Sequence, residues 1–95
     1  MANQTIKLKI RNREKLVLEE EVKAITSLND TGIFDVLPEH ANFISIIKEY
    51  LIIHKTNGSK EEVKLEKGVM RVLNNEIQIF IGLTAASEKS KPQQS

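Results

Sequence analysis

Apolar residues return at every second position along much of this chain, and that spacing constrains its fold more than any other feature. Ile6, Leu8 and Ile10 alternate with Lys7 and Lys9, Phe34 and Val36 flank Asp35, and Glu76-Ile77-Gln78-Ile79 repeats the pattern late in the chain. A period of two sends successive side chains to opposite faces of a pleated strand, so each run reads as a strand with one buried face. Polar clusters punctuate the runs: Asn12-Arg13-Glu14-Lys15, Asn29-Asp30-Thr31-Gly32, Asn57-Gly58 and Asn74-Asn75. The expected fold is all-β, a two-sheet antiparallel β-sandwich of about 8 to 10 short strands.

Within that frame the individual runs carry specific expectations. From Leu16 to Leu28, Val22, Ala24 and Thr26 are expected to face one way. Glu19-Glu20-Glu21 resembles the first turn of a helix, but Ile25-Thr26 and the turn that follows favour a strand. Phe34 and Val36 are expected to be buried together, and Pro38, which has no N–H to give a ladder, ends their strand. Runs at 43–47 and 50–54 come next, and Asn57-Gly58 reads as a type I′ hairpin turn. The arm beyond it, 60–66, is so charged that it reads as a sheet edge protected from pairing.

Composition narrows the classes of function. Ninety-five residues make one small domain, burying roughly 60–65% of its unfolded surface, with space for a thin aliphatic core and none for a deep pocket. Fourteen Lys and Arg against 13 Asp and Glu, well mixed, give no field to draw in nucleic acid. The chain has no Cys, which removes disulfides, thiolate metal sites and a cysteine nucleophile. No run reaches the roughly 18 apolar residues of a membrane span, so contact with a membrane would be indirect. Polar residues 87–95 read as a disordered tail after a domain at 1–86.

Candidate chemistry is sparse. His40 and His54 are the only histidines, and neither has a second ligand at metal spacing. The carboxylate runs at 19–21 and 61–62 read as solvated faces rather than acid and base pairs. No phosphate loop, nucleophile elbow or zinc-helix motif occurs. The expectation is therefore no catalytic residue, no metal and no cofactor. Asn3-Gln4-Thr5, Asn29-Asp30-Thr31 and Asn57-Gly58-Ser59 match the glycosylation pattern but are better explained as turn chemistry.

One segment goes beyond generic strand grammar. Gly32-Ile33-Phe34-Asp35-Val36-Leu37-Pro38-Glu39-His40-Ala41, entered from a polar turn and left through Phe43-Ile44-Ser45-Ile46-Ile47, resembles the signature of the N-terminal β-sandwich domain of the epsilon subunit of rotary ATP synthases. The resemblance runs over about 6–86 and includes the early Ile-Lys-Leu-Lys-Ile strand and Gly68 before a later strand. Asp35 and Glu39 stand where the family usually has Gly, and Asn42 where it has Pro. A Cβ at Asp35 and Glu39 restricts φ, so these turns are expected to differ in detail.

The resemblance implies a non-catalytic central-stalk subunit that links the gamma shaft to the c-ring of a proton- or sodium-driven synthase, at the cytoplasmic face of a bacterial plasma membrane. It implies a ring-facing end at Gly32, Ile33, His40, Ala41 and Asn42, with Asn12 and Ser45 near the gamma surface. Family members usually continue into a helical hairpin that restrains rotation; too few residues follow the last apolar segment to build one, so coupling without inhibition is expected. A free-standing β-sandwich that captures a partner at a sheet edge is the competing reading.

Overall fold

The computed structural model describes residues 4–82, and these form strands and turns without a helix. The strands are β1 (Ile6–Arg11), β2 (Leu16–Asn29), β3 (Gly32–Val36), β4 (Phe43–Lys55), β5 (Lys60–Leu73) and β6 (Glu76–Phe80). They lie in the order β1-β6-β5-β4-β2-β3, and an added β1–β2 pairing closes five of them into a barrel-like sandwich with β3 on its flank. The expectations for the tail at 87–95 and for a helical hairpin concern residues outside the described ones.

Six strands supply the expected short segments because the three long ones bend and serve both sheets. The first half of β2 pairs with β1, and its second half pairs with β3 and β4. The first half of β4 lies against the end of β5, and its second half lies between β5 and β2. Register shifts mark the bends at Val22/Ala24 and Lys48/Glu49, and Glu49 takes a φ of 73° there. An extra residue in one strand adds local twist and lets the sheet turn a corner.

The bulge in β2 also changes which residues face inward. Ile25 and Ser27 are buried, whereas Ala24 and Thr26 turn outward, contrary to the expected grouping of Val22, Ala24 and Thr26. One residue of slip flips every following side chain to the other face. Ser27 keeps its place in the core because its hydroxyl donates to the Tyr50 carbonyl at 2.8 Å.

Apolar side chains, all but Met70 branched, fill the space between the sheets: Ile6, Leu8 and Ile10 from β1 meet Ile47, Leu51 and Ile53 from β4, Met70 and Val72 from β5, and Ile77 and Ile79 from β6. Each fully buried side chain contributes about 1.5–3 kcal/mol. Val36 is fully buried, but Phe34 is only half-buried and stacks edge-on against Phe43 at 6.0 Å. β3 is short and pairs with β2 alone, so its early residues reach the rim of the core rather than its centre. The 60–66 arm does lie at an edge, paired with β4 alone.

Two further details differ from expectation. β1 and β6 are parallel, because no hairpin joins these distant strands and fixes their direction. The type I′ turn is at Asn74-Asn75, whose φ values are 52° and 62°. At Asn57-Gly58 only Gly58 has positive φ, at 91°, and Gly58 N–H donates to the Lys55 carbonyl at 3.0 Å. Thr56 and Asn57 are therefore the central pair, with Gly58 as the left-handed residue after them.

Candidate functional site

Asparagine side chains build most of the turns that carry the candidate residues. Asn12, in the β1–β2 turn, accepts from the backbone N–H groups of Glu14 and Lys15 at 2.8 and 2.9 Å. Asn29 Oδ1 accepts from both the N–H and hydroxyl of Thr31, at 2.9 and 2.7 Å. Asn57 does the same with Ser59 at 2.9 and 2.7 Å, so two of the glycosylation-like triplets are the same closed polar turn.

Gly32 follows the Asp30-Thr31 turn with a φ of 128°, a conformation that a β-carbon would strain. Asn29 Nδ2 donates to Ser45 Oγ at 3.1 Å, and Lys48 Nζ meets Asp30 Oδ1 at the same distance. Gly32 and Ser45 are thereby tied into one rigid corner. Beside it Ile33 is 68% exposed on the outer side of β3.

His40, Ala41 and Asn42 lie beyond the other end of β3, which is roughly 16 Å of extended chain. The Gly32 and His40 groups thus form two surfaces rather than one. In the 37–40 turn, His40 N–H donates to the Leu37 carbonyl at 3.1 Å, and Glu39 takes a φ of 66°. Pro38 followed by a left-handed residue is type II geometry, here with Glu where Gly is the usual choice. The neighbouring β6 turn holds this loop: Asn75 Oδ1 accepts from Glu39 N–H at 2.8 Å, and Asn42 Oδ1 accepts from Asn74 N–H at 2.9 Å. His40 packs on Phe43 with ring centres 5.0 Å apart, and its Nδ1 lies 2.7 Å from the Ala41 carbonyl.

His54 is elsewhere, on the outer face of β4. Its Nε2 lies 2.8 Å from Thr26 Oγ1, which donates to Asp35 at 2.5 Å. Among the described residues no three His, Asp or Glu side chains gather in a metal-binding arrangement. Asp35 therefore takes up a cross-strand hydrogen bond in place of the usual Gly.

Strand register reveals a surface that the sequence alone did not disclose. Ile46 on β4 pairs with Val69 on β5, Val69 with Phe80 on β6, Phe80 with Arg11 on β1, and Arg11 with Leu16 on β2. Paired residues share a face, so these form one row across the outside of the sandwich. Ile46 is 57% exposed, and Phe80, Leu16, Val17 and Ile44 are exposed as well. The row runs beside the Asn12 turn and a shallow concavity of about 390 Å³ lined by Asn12, Arg13, Glu14, Ile81 and Gly82.

The rest of that outer face is mostly polar and internally paired, although Leu73 is exposed there too. Arg71 donates to Gln78 at 2.7 Å, Gln78 donates to Glu76 at 2.8 Å, and Lys9 stands 3.5 Å from Glu76. The Gln78 amide, with Lys9 behind it, holds the Glu76 carboxyl below its ordinary range. Lys7 faces Glu19 at 3.6 Å. Around the corner, Lys55 bridges Glu61 at 3.0 Å and Glu20 at 3.5 Å, and the Glu61 bond first of all raises its pKa.

Residues 5–83 match the family described as ATP synthase, Delta/Epsilon chain, beta-sandwich domain. The ATP synthase epsilon chain of a Nitratiruptor species is 36% identical over 73 residues, 76% of this chain and 57% of that protein. That of Desulfitobacterium hafniense is 29% identical over 85 residues, 90% of this chain and 64% of that protein. The chain spans little more than half the length of such relatives. Among solved structures, a chain of the Euglena gracilis mitochondrial ATP synthase, determined with OSCP, F1 and c-ring, superposes with a TM-score of 0.79 at 21% identity. That match covers 85% of this chain and 52% of the other. A chain from the central stalk and c-ring of the Tetrahymena thermophila mitochondrial enzyme gives 0.68 at 14% identity, covering 85% and 66%. At these identities the superpositions establish a shared fold.

Proposed function

The chain belongs to the delta/epsilon β-sandwich family of ATP synthases, and from that membership we propose that it is a central-stalk rotor subunit, linking the gamma shaft to the c-ring of a proton- or sodium-driven synthase. In this reading it performs no catalysis, and it meets the membrane only through the ring, on the cytoplasmic face. A rotor part must pass torque without yielding, and a closed sandwich with corners tied by asparagine turns suits that demand.

The observation that carries the reading is the largely apolar, exposed row from Ile46 to Leu16, interrupted by Arg11, beside the Asn12 turn, since a domain this small gains nothing by leaving its apolar side chains open to water. Asn12 borders the shaft-facing side, whereas Ser45, bonded to Asn29 in the Gly32 corner, lies on the other side of β4 from Ile44 and Ile46, and Ile33 beside Gly32 offers an apolar contact for the ring. His40, Ala41 and Asn42, past the far end of β3, supply a second, more polar contact for the ring. Affinity purification of the tagged chain from its native membranes tests this: gamma and c subunits should be recovered in stoichiometric amounts, and their absence would overturn the proposal.

A further inference from the structure

We infer that the Arg11 margin of the outer face docks an apolar segment of the shaft subunit edged with carboxylates, an inference that rests on the rotor reading above. The outer face divides into two parts. In the polar part, cations already have partners: Lys9 meets Glu76, Lys7 meets Glu19, and Arg71 is bound to Gln78. At the margin, Arg11, Arg13 and Lys15 form no ion pair among the described residues. Glu14 is the one acid among the residues lining the concavity they share with Phe80 and Ile81.

Arg11 sits in the row between Phe80 and Leu16, and Arg13 and Lys15 follow in the adjoining turn, so the cations gather beside Leu16, Val17 and Phe80, with Ile46 at the row's other end. The row spans five neighbouring strands, roughly 19 Å at ordinary strand spacing, a width suited to one strand or helix of a partner. Apolar contact supplies the burial, and opposed charge at the rim supplies register and the rate of encounter.

Two other occupants fit less well. Residues 83–95 carry Lys89 and Lys91 against Glu88 and so do not bring the negative charge the margin lacks. A second copy docked through the same patch about a two-fold axis would bring a second set of Arg11, Arg13 and Lys15 into the interface without the negative charge to offset either set. A carboxylate-edged partner resolves both difficulties.

The test titrates the purified chain into the synthase complex depleted of it, at about 50 and 500 mM salt. The wild-type chain should bind about tenfold or more weakly at high salt. The triple variant Arg11→Glu, Arg13→Glu, Lys15→Glu should lose about a hundredfold in affinity at low salt while keeping its melting temperature. Phe80→Ser should weaken binding at both salts and leave the salt dependence in place. Wild-type binding matched by the triple variant, with equal salt dependence, overturns the charge inference and leaves the rotor reading standing. Failure of the wild-type chain to bind overturns both.

Discussion

Gly68 passes so close to β6 that a β-carbon built on it would lie 2.9 Å from the Phe80 carbonyl oxygen. That obstacle is backbone, which cannot swing aside as a side chain can. The added methyl would also meet Ile47 and Ile81 at 3.5 Å. Gly68→Ala should therefore lower stability by about 1–3 kcal/mol, the range for overpacking a tight interior. Urea unfolding measures it, and a change below about 0.5 kcal/mol would mean that β5 and β6 are less closely apposed than described.

Asn75 joins three elements at the far end: its side chain accepts from Glu39 N–H and donates to the Thr5 carbonyl at 3.0 Å, while its own φ is positive. Asn75→Gly keeps the turn and removes the clamp; Asn75→Ala removes the clamp and strains the turn as well. The first should cost about 1–2 kcal/mol and the second more. Equal losses in thermal melts would show that backbone freedom at this position has no part in the effect.

The Glu76 carboxyl, held down by Gln78 and Lys9, makes stability depend on pH with a definite sign. A carboxyl with a lowered folded-state pKa stabilises the fold above its unfolded pKa, and that contribution disappears as pH falls through the lower, folded value. Glu76→Gln should thus cost about 0.5 kcal/mol at neutral pH and nothing once acid has protonated the wild-type residue. Denaturant melts from pH 7 down to 3 would show the two proteins converging. A gap that stays constant over that range would assign the loss to packing instead.

Phe34 sits on the rim of the core against Phe43. Its truncation to Ala should cost about 2 kcal/mol, less than the 3–5 typical of a fully enclosed phenylalanine. A loss above about 4 kcal/mol would place its ring deeper than the structure does.

What the sequence disclosed was local. Ile6 to Ile10 and Glu76 to Phe80 announce their strands, because a period of two depends only on neighbours in the chain, and Asn29 and Asn57 announce turns for the same reason. The inward turn of Ile25 and Ser27 was hidden, since the bulge after Val22 is defined by pairing with Lys55, far along the chain. The parallel β1–β6 contact was hidden likewise.

The candidate site divides in the same way. The Gly32 and Pro38 turns were visible as residue types, and the left-handed Glu39 shows that the backbone keeps its turn geometry even without glycine. The row from Ile46 to Leu16 could not be seen, because it exists only once five strands are set in register. Phe80 and Leu16 in the linear sequence look like ordinary core residues, and exposure alone marks them otherwise.

Coupling itself provides the most direct test of the rotor account. In membrane vesicles bearing the synthase, removal of this chain should uncouple ATP hydrolysis from ion pumping, and adding the purified chain back should restore ATP-driven acidification or sodium uptake. Pumping that is as strong without the chain as with it would contradict the account, as would vesicles that recover no pumping when the folded chain is returned.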